Sequence, residues 1–130
     1  MPRYPSIAQK LILRFQDKIL VLKHPNGVIS FPGGKIEFGE SLFNALNREL
    51  KEELNFALDS MPKLLDVWNY ISSDKTAHSV FIYYIHDLQA SIEFFSPEKL
   101  AILWLSKQDM IDVNLIKDSK FLNKMFDTKI

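Results

Sequence analysis

Apolar positions come in short runs through most of the chain and change to helical spacing once in its middle. Ile7 to Phe15 and Ile19 to Leu22 are aliphatic-rich segments separated by Gln16, Asp17 and Lys18, which predicts two strands around a tight turn. Pro25, Asn26 and Gly27 break the chain before a third strand, Val28 to Phe31. Pro32, Gly33 and Gly34 then end that strand, and the diglycine is expected to open a loop. From Ser41 to Leu54 the leucines at 42, 46, 50 and 54 stand four apart, the spacing of a helix buried on one side, with Ser41 as its N-cap. Asn55 follows where a left-handed residue commonly ends a helix, and asparagine is the best substitute for glycine there.

Leu64 to Ser72, His78 to His86 and Ser91 to Phe95 are further β-like runs, with a turn at Ser73, Asp74 and Lys75. Ala101 to Leu105 adds another strand, and Phe121, Leu122, Met125 and Phe126 mark a terminal helix within Asp118 to Phe126. No repeat, linker or low-complexity tract interrupts this order. It predicts an α+β fold, an α/β/α sandwich in which helices cover a mixed, mostly antiparallel sheet. At 130 residues the chain is expected to form one domain, 1–130, with a core that needs no staples.

Glu49, Glu52 and Glu53 stand at i, i+3 and i+4 on the central helix, so at about 100° per residue they share one face, within an arc of roughly 100°. The apolar stripe of Phe43, Leu46, Leu50 and Leu54 lies beside that arc, placing the carboxylates at the edge of the buried side. Like charges at this spacing cost a helix about 0.2–0.5 kcal/mol per pair, and partial burial worsens the repulsion. Arg48 neutralises only part of three charges. The arrangement therefore suits hard divalent cations, magnesium or manganese, whose ligands are carboxylate, carbonyl and water oxygens. On the helix alone, a solvated acidic face is the more ordinary explanation.

Charge and cysteine content narrow the chemistry. Sixteen basic and sixteen acidic side chains leave no net charge, so no global field draws in extended nucleic acid. Cysteine is absent, which excludes disulfides, thiolate catalysis and sulfur-ligated metal centres. Met1 to Pro5 lacks the apolar stretch of a secretory signal, and no apolar run approaches the roughly 20 residues of a membrane span. A cytoplasmic location is expected.

The upstream residues give the glutamates a context. Gly34, five residues, Glu40, seven residues, then Arg48-Glu49-Leu50-Lys51-Glu52-Glu53, with Asn55 and Phe56 following, resembles the Nudix box. Phe31-Pro32-Gly33-Gly34-Lys35 and Gly39-Glu40 are similar to MutT-type members. The single departure is Asn55 where the family has glycine, a place where asparagine tolerates the left-handed backbone. The resemblance implies the Nudix-type sandwich with a catalytic loop-helix-loop and a magnesium-dependent hydrolase, manganese being a substitute.

Residue by residue, the resemblance implies that Glu49, Glu52, Glu53 and the Gly34 carbonyl bind metal, that Arg48 orients a carboxylate, and that Glu40 supports the loop or a metal-bound water. The metal would activate water and stabilise charge on the departing phosphate. The general base stays open: Glu52 is the first choice inside the box, and Glu98 outside it is preferred to Glu93. Among groups flanking the motif loop, Lys23 and Lys35 are favoured for substrate phosphates over Arg14 and His24. Trp68, Tyr70 and Phe81 are candidates for stacking on a base, against the ordinary reading of core aromatics.

The expected partner is a small nucleotide, with homodimerisation left open. The leading expectation is pyrophosphohydrolysis of a nucleoside triphosphate or a related nucleoside diphosphate derivative. ADP-ribose, nucleotide-sugar or dinucleoside polyphosphate hydrolysis is the alternative; subfamilies of that kind carry a proline or tyrosine downstream of the box, and Tyr70 is nearest that place. A third reading, from another class, is a Nudix-fold domain that binds a nucleotide without cleaving it; such domains typically lose box carboxylates, and all are present here.

Overall fold

The computed structural model describes residues 3–130. A ten-residue strand β1 (Ser6–Phe15) turns through Gln16 and Asp17 into β2 (Lys18–Lys23). Both turn residues have positive φ, 50° and 62°, as a two-residue type I′ hairpin requires. Short β3 (Ile29–Ser30) and β4 (Gly33–Lys35) precede α1 (Leu42–Leu54). Then come β5 (Lys63–Ile71), β6 (His78–Asp87), β7 (Ala101–Leu105), α2 (Lys107–Asp112) and α3 (Ser119–Asp127).

The strands form one mixed sheet. β1 runs parallel to β6, from Ser6 opposite Ser79 to Arg14 opposite Asp87, and the remaining pairs are antiparallel. β1 and β2 pair only beside their turn, at Arg14 with Ile19 and Phe15 with Lys18. Beyond that point they diverge, and the gap is filled by β3 paired to β2 and β4 paired to β1. This wedge carries the diglycine into the middle of the sheet.

The two faces of the sheet hold separate cores. Leu11, Leu13, Leu20, Leu22 and Tyr84 pack against Leu46, Leu50 and Leu54 of α1. Ile12, Ile19, Val21, Tyr83 and Ile85 pack against Met110 of α2 and Phe121, Leu122 and Met125 of α3. The expected α+β sandwich with a mixed sheet is therefore the observed architecture, and each fully buried leucine contributes about 1.5–3 kcal/mol to holding α1 in place. Gln9, buried in β1, adds a polar tie: its amide donates to the Leu42 carbonyl at 2.8 Å and accepts the Tyr84 hydroxyl at 2.6 Å.

Three expectations change. The diglycine does not open a loop: Gly33 pairs with Lys10 and Gly34 with Gln9. Ser91 to Phe95 is not a strand; it lies in the loop between β6 and β7, anchored by Phe94 against Phe56 and Trp104 rather than by a ladder. A short helix, α2, was not anticipated, although Ser106 and Asp109 form a reciprocal capping box at its start.

Candidate active site

Both ends of α1 are fixed as the sequence predicts. Ser41 Oγ accepts the Asn44 N–H at 3.1 Å, and Asn55 sits at φ 52°, ψ 40° with its N–H on the Lys51 carbonyl. The Asn47 side chain clamps the following segment, accepting the Leu58 N–H and donating to the Leu58 carbonyl. These contacts set the rotation of α1, and that rotation turns the glutamates toward β4.

Glu53 is only 7% exposed, and its Oε1 accepts the Gly33 N–H at 2.8 Å. Burial pushes its pKa up to about 7, against the opposing effects of that hydrogen bond and of Lys10. Glu49 lies against Gly34, where an added Cβ would stand 2.5 Å from its Cδ, and burial raises its pKa too. Glu52 is half-exposed, 3.6 Å from Arg48.

Arg48 grips Glu40 with two nitrogens, at 2.8 and 2.9 Å, and also reaches Glu49 at 3.0 Å and the Lys35 carbonyl at 3.0 Å. The pairing with Arg48 lowers the Glu40 pKa. Glu40 also accepts the Glu37 N–H at 2.8 Å, so one carboxylate ties the loop to the arginine. Planar two-point pairing of this kind fixes direction as well as charge.

The structure brings together Gly34, Glu40, Arg48, Glu49, Glu52 and Glu53. Glu98, exposed in the turn from Ser96 to Lys99, lies near enough to raise the Glu53 pKa by like-charge repulsion. Lys23 and Lys35 are exposed at the ends of β2 and β4, and only the Lys35 carbonyl contacts the motif. Arg14 is not brought to the cluster. Four residues along β1 from Lys10, it binds both Asp87 oxygens at 2.6 and 2.9 Å and the carbonyl of Met125 at 3.0 Å.

Sequence reading missed Lys10. Its ammonium, largely buried on the central strand, donates to the Phe31 carbonyl at 3.3 Å and lies in the field of Glu53 and Glu49. Burial lowers its pKa, and the two glutamates oppose that. A single lysine within an apolar strand was the signal available.

As they stand, no three acidic, histidine or cysteine side chains among the described residues converge in a ready metal geometry, because Glu53 is turned to Gly33 and Glu49 to Arg48. The donor set nevertheless fits a hard divalent cation: carboxylate oxygens, a half-exposed Glu52, and a backbone at Gly34 whose missing Cβ lets the Glu49 carboxyl come close.

On the opposite face, Trp68 stacks on Tyr83 at 5.3 Å and an interplanar angle of 7°, and borders a cavity of about 480 Å³ with Asp66, Leu115, Ile116 and Asp118. Tyr83 makes an edge contact with Phe31 at 6.3 Å, and Phe31 leads directly into Pro32, Gly33 and Gly34. The aromatic cavity and the glutamate cluster are joined through this short path.

Fold and site together define a small α+β domain with an acidic loop-helix-loop, and the comparisons name its family. The NUDIX domain model matches residues 6–128, so the chain belongs to the Nudix family, whose hydrolases act on pyrophosphate bonds of nucleotide derivatives. An ADP-ribose pyrophosphatase of Methanocaldococcus jannaschii is 33% identical over 89 residues, 65% of this chain and 52% of that protein. A U8 snoRNA-decapping enzyme of Homalodisca vitripennis is 33% identical over 86 residues, 65% of this chain and 45% of that protein. The chain thus spans about half the length of the curated relatives it matches. Among solved structures, a MutT NUDIX hydrolase from Burkholderia pseudomallei superposes with a TM-score of 0.69 at 27% identity, covering 82% of this chain and 87% of that one. The E. coli dihydroneopterin triphosphate pyrophosphohydrolase shares the fold at TM-score 0.71 and 16% identity, covering 95% of each chain. Among the described residues no helix is long and apolar enough to cross a membrane.

Proposed function

We propose that this chain is a magnesium-dependent hydrolase that cuts the pyrophosphate bond of a nucleoside triphosphate or a nucleoside diphosphate derivative. The observation that carries this reading is the burial of the Glu53 carboxyl on the Gly33 N–H, with Glu49 pressed against Gly34 beside it. Two carboxylates packed against β4 at Gly33 and Gly34 cost stability unless they hold a cation, and both belong to the Nudix-like motif.

Glu49, Glu52, Glu53 and the Gly34 carbonyl would hold the metal, which when bound lowers the pKa of water and screens phosphate charge. Arg48 holds Glu49 in place and is itself aimed by Glu40. A water oxygen bonds to phosphorus as the bridging P–O bond breaks; the electron pair leaves with the departing phosphate, and the water's proton passes to a carboxylate. Glu52, half-exposed and making no hydrogen bond among the described residues, is the first candidate for that proton; Glu98 in its loop is the second. The cavity beside Trp68 would hold the nucleobase, since a flat ring can stack on the indole or lie between its apolar walls.

The two curated relatives are named an ADP-ribose pyrophosphatase and a U8 snoRNA-decapping enzyme, so the substrate panel has to be broad. The test is release of phosphate, pyrophosphate or nucleoside monophosphate with magnesium, then manganese. The panel is normal and oxidised nucleoside triphosphates, ADP-ribose, nucleotide sugars and dinucleoside polyphosphates. Turnover of one class, abolished by EDTA, is expected; magnesium binding without turnover of any class would sink the hydrolase reading in favour of a nucleotide-binding domain.

A further inference from the structure

Lysine is rarely placed in the central strand of a sheet unless its charge is used, because burying an ammonium is costly. Lys10 is such a residue, flanked by Tyr83 on β6 and Gly33 on β4. An ammonium carries three N–H donors, and among the described residues the only hydrogen bond it makes is the 3.3 Å bond to Phe31. No carboxylate oxygen among those residues lies within 4.0 Å of it, although Glu53 and Glu49 act on it electrostatically. Arg48, the other cation of the cluster, is already paired twice with Glu40.

Position adds to charge. The register sets Lys10 beside Tyr83, on the same face of the sheet, and Trp68, which lines the cavity, stacks on Tyr83. Lys10 therefore stands between the cavity and the glutamates, with donors to offer. We propose that the Lys10 ammonium is a substrate-binding group that takes a non-bridging oxygen of the phosphate linking the nucleoside to the scissile bond. This deepens the reading above and rests on it: metal and Lys10 would grip the same diphosphate from two sides, and the lysine would favour substrates whose first phosphate follows directly on the nucleoside.

The test is calorimetric binding of methylenediphosphonate, whose P–C–P link cannot be hydrolysed, in magnesium, to the wild-type chain and to Lys10→Met and Lys10→Arg. Magnesium alone is titrated in parallel. A lost charge-assisted hydrogen bond corresponds to roughly a ten- to hundredfold weaker affinity. That loss is expected for Lys10→Met, with magnesium binding equal or tighter and the affinity largely kept in Lys10→Arg. Where the methionine variant does not fold, Lys10→Gln takes its place. Equal diphosphonate affinity in wild type and variant, or no diphosphonate binding by the wild type, overturns the assignment. So does a change confined to magnesium affinity or melting temperature, which would make Lys10 a structural counter-ion. Absence of turnover across the nucleotide panel would sink the hydrolase reading, while the diphosphonate comparison would still judge Lys10 separately.

Discussion

The Glu49 carboxyl group occupies the space left by the missing side chain of Gly34: a Cβ built there would stand 2.5 Å from Cδ and 2.6 Å from Oε1. The glycine is thus required by its neighbour across the site, since Gly34, unlike Gly33, does not have positive φ. Gly34→Ala should leave the fold intact, because the group that must move is the end of a side chain. It should lower kcat/KM by about a hundredfold or more, the order expected when a catalytic group is displaced by about 1 Å. Steady-state kinetics with a melting curve check this, and unchanged kinetics would remove Glu49 from the site. Gly33→Ala should fail differently, by destabilising the fold, since its Cβ would lie 2.0 Å from the Gln9 carbonyl oxygen at φ +129°.

Arg48 is the hub of the loop, and its geometry depends on a planar fork. Lysine keeps the charge but cannot bond both oxygens of Glu40 while reaching Glu49. Arg48→Lys and Glu40→Gln should therefore each lower kcat by roughly 10–100-fold, as loss of a group that orients a metal ligand does. Magnesium titration of the same variants should show weaker binding, and wild-type kinetics in Arg48→Lys would show that charge alone suffices.

Arg14, placed apart from the glutamate cluster, yields a prediction of opposite sign. Its side chain is 11% exposed and ties β1 to Asp87 and to the end of α3. Arg14→Met should destabilise the chain by roughly 3 kcal/mol, because Asp87 and a helix-end carbonyl lose their donors. The variant's kcat/KM should stay near wild type. A large rise in KM without loss of stability would restore Arg14 to the substrate.

What was legible before the structure was whatever is local. The leucines at 42, 46, 50 and 54 define α1, Ser41 and Asn55 its ends, and the carboxylate spacing its acidic face, because helix geometry follows from sequence separation alone. Lys10 was not legible in that way. A polar residue in an apolar strand ordinarily faces solvent, and its proximity to Glu53 exists only because β1 and β2 diverge and β4 fills the wedge. The same nonlocal pairing made a strand of Gly33 and Gly34, whose type argues for a loop. Ser91 to Phe95 shows the converse: β-like residues without a free partner strand stay irregular.

Glu53 gives the metal-free chain a specific pH dependence. Burial raises its pKa from 4.5 to about 7, so the folded state favours the neutral carboxyl and its relative stabilisation is complete below pH 4.5. That stabilisation is lost as pH rises through 7, a difference of about 3 kcal/mol for a shift of this size. Glu40, Asp74 and Asp109 have lowered pKa values and act in the opposite sense, losing stabilisation only as pH falls below the ordinary carboxylate range. Between pH 5 and 8 Glu53, joined in the same sense by Glu49, should therefore dominate, and the melting temperature in EDTA should fall across that interval. Glu53→Gln, which keeps the shape but cannot ionise, should flatten the fall, fold normally, bind magnesium more weakly and lose orders of magnitude in turnover. Magnesium should offset the decline in the wild type, because at the proposed site it would bind the ionised carboxylate and link affinity to proton release. Parallel pH profiles of wild type and Glu53→Gln in EDTA would contradict the buried placement of this carboxyl.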